Sequence, residues 1–138
     1  MLLRVLEEEG YVVLPAATGL EALELAAGKA PSLVLLDLTL PVQNGWDTFE
    51  RLSEQHPCLP VIIITARSNQ LFAALAAGAA ALMEKPLDLP KLLHTMRELL
   101  AEPGTIRRAR TAGKAVDFHY LAPKRQPPVA VDAEKDDP

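Results

Sequence analysis

The sequence predicts an α/β domain in which helices cover both faces of a parallel β-sheet. Helix and strand patterns alternate from the first residue to Ala101. Two strand segments, "LVLL" at 33–36 and "VIII" at 61–64, are apolar at every position instead of alternating. Strands that are buried on both faces have this pattern, so the sheet is predicted to be parallel with helices on both sides.

Each element is predicted from a local signal. Helices are indicated by apolar residues that recur on one side of an amphipathic segment, and their ends by Gly10, Gly28, Pro57, Gly78 and Pro103. Strands are indicated by short apolar runs rich in β-branched residues. In chain order the predicted elements are helix 1–9, strand 11–16, helix 18–28, strand 32–37, helix 45–56, strand 60–66, helix 69–78, strand 80–86 and helix 87–102.

Composition limits the class of protein. Residues 1–101 form the predicted domain, and residues 102–138 form a charged tail with five of the twelve prolines. A net charge of −4 favours neither nucleic acid nor an anionic membrane as a partner. The single cysteine, Cys58, excludes an intramolecular disulfide, and no apolar run reaches the length of a membrane span. A soluble, cytoplasmic protein is expected.

Three reactive side chains follow neighbouring predicted strands. Asp37, Thr65 and Lys85 each stand where a strand ends. Ligands bind at the carboxyl ends of the strands in open parallel sheets, so these side chains are expected to converge. A carboxylate can attack phosphorus, an ammonium can neutralise a phosphoryl oxygen, and a hydroxyl can donate to another. The three together predict a phosphoryl-transfer site.

The sequence resembles the response-regulator receiver domain of two-component signalling. The resemblance lies in "LEEEGYVVLPAATGLEALELA", "LVLLDLTLPVQNGWD", "LPVIIITAR" and "AALAAGAAALMEKP", and it covers residues 1–101. It implies a flavodoxin-like, CheY-like doubly wound sheet with strand order 2-1-3-4-5. It also implies that the domain is a phosphoacceptor and not an enzyme, and that its partner is a histidine kinase or a phosphotransfer protein.

The resemblance assigns roles to individual residues. It implies that Asp37 accepts the phosphoryl group, that Thr65 rearranges toward this group and that Lys85 contacts it. Asp37 and the backbone carbonyl of Thr39 would be ligands of Mg²⁺. The Lys85–Pro86 peptide bond is expected to be cis, as it often is in the family.

The family's first strand, which is central and ends in the acids that hold Mg²⁺, has no counterpart at the start of this sequence. Without it, the strands at 11–16 and 32–37 lose their pairing partner. Each unpaired buried backbone group costs roughly 1–3 kcal/mol, and several would rival the roughly 5–15 kcal/mol that stabilise a small domain. Residues 1–101 alone are therefore not expected to be a stable monomer, and a homodimer is expected.

Several segments are candidates for the missing strand. Residues 127–132 are apolar and lead into acids, and they would bring Asp132, and less directly Glu134, to the metal site. They could insert into their own domain or into a partner, as in a swapped dimer. Residues 115–121 are a second candidate, and exchange of strands between two domains is a third. A disordered tail that fills nothing is the remaining alternative. In each case Mg²⁺ binding is expected to be weak or absent, because Ala133 stands where the family has its second acid.

Two further departures concern the family's output. Leu82 stands where the family has an aromatic residue, and the loop that follows Thr65 is about two residues short. The leading hypothesis is a single-domain receiver in a phosphorelay, with impaired phosphorylation of Asp37. The alternative is a degenerate receiver that dimerises or binds a partner without phosphorylation. A haloacid-dehalogenase-like phosphatase is the remote alternative, which Thr39 disfavours because such enzymes need an acid there.

Overall fold

A computed structural model describes residues 2–38, 45–66, 69–103 and 118–123. Within these ranges the chain forms five helices and four strands. Their bounds are α1 Leu2–Glu8, α2 Gly19–Lys29, β1 Val34–Asp37, α3 Gly45–Gln55, β2 Val61–Thr65, α4 Leu71–Ala77, β3 Ala81–Glu84, α5 Leu89–Ala101 and β4 His119–Leu121.

The four strands form one parallel sheet in the order β1-β2-β3-β4. Leu35 lies beside Ile62 in the first pair, and Ile62 lies beside Ala81 in the second. The predicted parallel sheet is confirmed, and β1, β2 and β3 are three of the four predicted strands. Each is followed along the chain by a segment long enough to hold the crossover that parallel pairing requires.

Apolar side chains cover both faces of the sheet in two clusters. Alternate residues of β2 belong to different clusters, because successive side chains of a strand point to opposite faces. The cluster on one face includes Ile62 and Ile64 with residues of α1 and α5. The cluster on the other face includes Ile63 with Phe49 of α3 and Ala74 of α4. This arrangement of two helical layers around one sheet is the predicted doubly wound fold.

Local side-chain and backbone signals set the ends of the helices. Thr18 caps α2 by accepting a hydrogen bond from the Glu21 N–H at 3.1 Å, while Glu21 accepts one from the Ala17 N–H at 2.8 Å. The prediction that this helix ends at Gly28 is wrong by one residue, since it runs to Lys29 and ends at Ala30 in the left-handed region, with φ 47°. Gly78 ends α4 as predicted, with φ 88°.

The predicted strand at residues 11–16 does not form. These residues are described but lie outside every strand, and Val12 is 90% exposed. A strand needs a neighbour for its backbone hydrogen bonds, and the described residues place none between this segment and β1. The sequence has the apolar pattern of a strand here, but the pairing partner decides whether the strand exists.

The second candidate for the missing strand takes a different place. Of residues 115–121, the last three form β4, which pairs with β3 at the far edge of the sheet. It therefore does not fill the position beside β1, and its assignment to that position is wrong. Leu121 packs into one core cluster and Phe118 against the other, which explains why this alternating segment is held at the β3 edge. Residues 127–132, the first candidate, lie outside the described residues.

Candidate functional site

The three predicted site residues lie at the carboxyl edge of the sheet. Asp37 is the last residue of β1, Thr65 is the last residue of β2, and Lys85 directly follows β3. The strands are adjacent, so the three residues come from three consecutive positions along this edge. The backbone N–H of Lys85 donates to the carbonyl of Thr65 at 2.8 Å, which fixes one strand end to the next.

Lys85 reaches across β2 to the carboxylate of Asp37. Its Nζ lies 2.9 Å from Oδ2 of Asp37, and the two side chains are 37% and 27% exposed. This exposure leaves the pair partly solvated, so the ion pair itself stabilises the fold by roughly 1 kcal/mol or less. Its main consequence is chemical, because an ammonium is held against a carboxylate that solvent can reach. The Lys85–Pro86 peptide bond is cis, as expected.

Thr65 lies between these two residues along the edge and is fully buried. Its strand is buried at all five positions because β1 and β3 flank it and helices cover both faces. Gln70 directly precedes α4, and its Oε1 accepts a hydrogen bond from Nε1 of Trp46 at 3.1 Å. Trp46 also meets the ring of Phe49 edge-on, with centroids 5.9 Å apart. Trp46 thus links the start of α3 to the start of α4.

The predicted metal ligands are only partly described. Asp37 is described, whereas Thr39, Asp132 and Glu134 lie outside the described residues. Within the part of the chain that the structure describes, no group of three His, Cys, Asp or Glu residues is placed to hold a metal ion. Mg²⁺ usually keeps several waters and is bound through one or two carboxylates. Asp37 is the predicted ligand that the structure describes, and its partly exposed carboxylate could supply one such oxygen.

Sequence reasoning missed a second polar contact at this end of the sheet. Tyr120 of β4 lies beside Leu82, and its hydroxyl donates to Oε1 of Glu84 at 2.6 Å. This hydrogen bond, then burial and the charge of Glu84, raises the pKa of Tyr120 above its ordinary value of 10.0. An aromatic residue thus stands next to Leu82, the position where the family has one. The sequence contains no signal for this pairing, because the register of β4 on β3 is set by the fold.

A deep apolar groove runs along the outer edge of β1 and ends at Asp37. Its volume is about 690 Å³. The residues that line it include residues 33–37, residues 11–18, Leu6 and Met96. This groove lies where the family has its first strand. It places a long, unfilled apolar surface directly against the phosphoryl-transfer candidate.

Comparison with known proteins identifies the family. A family model described as the response regulator receiver domain matches residues 1–97. The chain belongs to the response regulator receiver domain family. Receiver domains of this family are regulatory domains of two-component signalling that interact with histidine kinases or other phosphodonors.

Individual relatives agree with this assignment. The response regulator MprA of Mycobacterium sp. (strain KMS) is 39% identical over 99 residues, which are 70% of this chain and 43% of that protein. The transcriptional regulatory protein YkoG of Bacillus subtilis (strain 168) is 38% identical over 102 residues, 72% of this chain and 45% of that protein. The chain therefore spans less than half the length of these curated relatives.

Solved receiver structures have the same fold. A CheY-like receiver domain protein from Methanospirillum hungatei JF-1 is 32% identical with a TM-score of 0.66, covering 71% of this chain and 80% of that one. The receiver domain of NtrX from Brucella abortus is 29% identical with a TM-score of 0.68, covering 72% and 87%. Among the described helices, none has the length and apolar character required to cross a bilayer.

Proposed function

We propose that this receiver domain takes a phosphoryl group on Asp37 from the phosphohistidine of a histidine kinase or phosphotransfer protein. The observation that carries the proposal is the 2.9 Å contact between Lys85 and Asp37. The lysine comes from a strand two positions away and still meets this one carboxylate. A carboxylate that is paired with a cation and partly exposed at the edge of a parallel sheet suits transfer to phosphorus.

The proposed transfer conserves atoms and charge when one proton from water is included. A carboxylate oxygen of Asp37 forms a bond to phosphorus as the donor's phosphorus–nitrogen bond breaks. The imidazole leaves with the electron pair and takes a proton from water. Lys85, now held by the carboxylate, turns to a phosphoryl oxygen, and the hydroxyl of Thr65 donates to another. These two residues position the phosphoryl group and stabilise its charge.

We further propose that this phosphorylation is slow. The described residues contain no group of three His, Cys, Asp or Glu residues that could hold a divalent cation at Asp37. Among the described residues, Lys85 and Thr65 are the ones placed to stabilise the negative charge that develops on the phosphoryl group. Domains of this family with a full set of acids would react faster for this reason.

The test is labelling of the full chain with a small-molecule phosphodonor, with and without Mg²⁺, followed by mass spectrometry. We expect a weak phosphoryl adduct that is lost in Asp37→Ala and kept in Asp47→Ala. Asp47 is a suitable control because it is an exposed carboxylate on α3 that pairs with Arg51. An adduct that survives in Asp37→Ala would refute Asp37 as the acceptor, and rapid stoichiometric labelling would refute the impairment.

A second function is favoured by the apolar groove beside β1. A receiver whose acceptor is not phosphorylated would act as a dimerisation or protein-interaction module. The receiver domain of RstA from Klebsiella pneumoniae, 26% identical with a TM-score of 0.67, is described as BeF₃-activated. Beryllofluoride therefore separates the two functions: a change in the fluorescence of Trp46, the single tryptophan, supports the phosphoacceptor. No change, together with no adduct, supports the interaction module.

A further inference from the structure

One edge of β1 pairs with β2, and its other edge faces the groove. The N–H of Val34 donates to Pro60 at 3.0 Å, and the N–H of Leu38 donates to Ile64 at 2.8 Å, so these residues turn their backbone groups toward β2. Successive residues of a strand alternate in direction, so the backbone groups of Leu33 and Leu35 point into the groove. No described strand pairs with them.

The groove has the dimensions and surface of a site for one extended strand. The segment from Leu33 to Asp37 that lines it is five residues, which is roughly 16 Å of strand. The residues that line the groove are mostly apolar, and Leu3, Val12 and Leu14 on its rim are exposed. Side chains of a strand inserted here would meet an apolar layer on each face, as those of β2 do.

We propose that residues 127–132 of a second copy of this chain occupy the groove as a strand parallel to β1, in a reciprocally swapped dimer. The sequence "PPVAVD" supplies apolar residues for the length of the groove and Asp132 at the end where Asp37 lies. In this direction the following acids leave at the carboxyl edge, where the helices that follow the strands begin and their dipoles favour negative charge.

The position of β4 is the reason to assign the strand to a second copy. β4 lies four strand positions from the groove, roughly 19 Å, and it ends at the carboxyl edge, roughly 13 Å from the edge where a parallel strand must enter. A straight line between these points is roughly 23 Å and passes through the sheet. The six residues from Leu121 to Pro127 span at most roughly 22 Å, and a path around the sheet is longer than the straight line. The chain's own tail therefore does not reach, whereas a second copy can dock with its β4 closer to the groove and so place its tail there.

The first test is the molar mass of the full chain by light scattering, which needs no phosphodonor and so is independent of the proposed function. We expect the mass of two chains for the wild type and of one chain for Val131→Asp, which puts a charge in the apolar groove. Ala133→Asp adds the same charge just beyond the strand and should remain a dimer. A monomeric wild type, or a dimer that survives Val131→Asp with unchanged dissociation, overturns the proposal.

The second test fixes the direction of the strand in the folded chain and does not depend on a destabilised variant. On a Cys58→Ser background, Ser32→Cys is combined with Pro127→Cys or with Ala133→Cys, and a short bis-maleimide is added. The parallel swapped strand predicts a cross-linked dimer for the first pair and none for the second, with each single variant giving no dimer. Cross-linking within one chain by the second pair would show the chain's own tail inserted antiparallel, and would overturn the proposal.

Discussion

β1 and β2 are neighbouring strands of similar sequence with different degrees of burial. All five residues of β2 are buried, whereas all four residues of β1 are only half-buried. Both strands are apolar until their last residue, and both lie between layers of helices. They differ in their neighbours, since β2 has a strand on each side and β1 has a described strand on one side only.

This difference shows that the burial of a strand in a parallel sheet depends on what pairs with it. Leu35 and Ile62 lie side by side and contribute to the same core cluster, yet Ile62 is fully buried and Leu35 is not. The same cause explains residues 11–14, which have the pattern of a strand and form none. We call the part from β2 to β4 the finished half, because β2 and β3 have a strand on each side. We call the part from α1 to β1 the unfinished half, because β1 has a described strand on one side only.

The largest predicted effect is the difference in stability between matched truncations in the two halves. Ile62→Ala should lower the free energy of unfolding by about 3–4 kcal/mol, because it leaves a cavity in a closed core. Leu35→Ala should lower it by about 1–2 kcal/mol, because water already reaches the site. Both are measured by urea unfolding in the monomeric Val131→Asp background. Equal losses would mean that the groove is closed in solution.

A smaller effect should appear when the groove is filled. If a partner strand covers Leu35, the Leu35→Ala change should cost more in the dimeric chain than in the Val131→Asp background. A double-mutant cycle between residues 35 and 131 should give a coupling energy of about 1 kcal/mol, the size expected for side chains in contact. The cycle is measured at one fixed protein concentration, because the stability of a dimer depends on concentration. A coupling energy of zero would show that Leu35 and residue 131 of the tail are not in contact.

The Lys85–Asp37 pair joins the two halves, since Lys85 follows β3 and Asp37 ends β1. Lys85→Met should change the free energy of unfolding by less than about 1 kcal/mol, because the pair is partly exposed. It should slow labelling of Asp37 by roughly 10–100-fold, the effect of losing one charged hydrogen bond to the phosphoryl group. Lys91→Met, which removes a lysine 4.0 Å from Asp88, should leave labelling unchanged. Equal labelling in both variants would contradict the role of Lys85.

The sequence predicts the strands β1, β2 and β3 better than the rest of the sheet. The apolar runs at 33–36 and 61–64 indicate two buried strands, and the resemblance adds the cis bond at Lys85–Pro86. These signals are local or are carried by a motif. The strand predicted at 11–16 fails because its existence depends on a partner that the local pattern does not contain.

The position of β4 and its polar contact are the features that no local signal predicts. Residues 115–121 alternate as a strand does, but alternation is the same for either edge of a sheet. The contact from Tyr120 to Glu84 joins residues 36 positions apart and exists only in the observed register. The ends of the predicted strands place Asp37, Thr65 and Lys85 at the carboxyl edge of the sheet. The contact between Asp37 and Lys85 could be identified only from the structure.

The smallest predicted effect concerns the hydrogen bond that Tyr120 of β4 donates to Glu84. Tyr120→Phe should lower the free energy of unfolding by about 0.5–1 kcal/mol, which is less than the roughly 1.5–3 kcal/mol of a hydrogen bond to a charged group because Tyr120 is 45% exposed. The chain has two tyrosines, so in Tyr11→Phe the titration of Tyr120 can be followed alone. Its midpoint should lie above 10.0 and should fall when Glu84→Gln is added.

The pH dependence of stability follows from the direction of this shift. The pKa of Tyr120 is raised in the folded state, so the unfolded chain loses this proton first as the pH rises. The stabilising contribution is fully present below pH 10 and is lost as the pH passes through the folded pKa. The loss should be absent in Tyr120→Phe. If both proteins lose stability equally above pH 10, the hydrogen bond to Glu84 does not hold β4 in place, and the position of β4 depends on Phe118 and Leu121 alone.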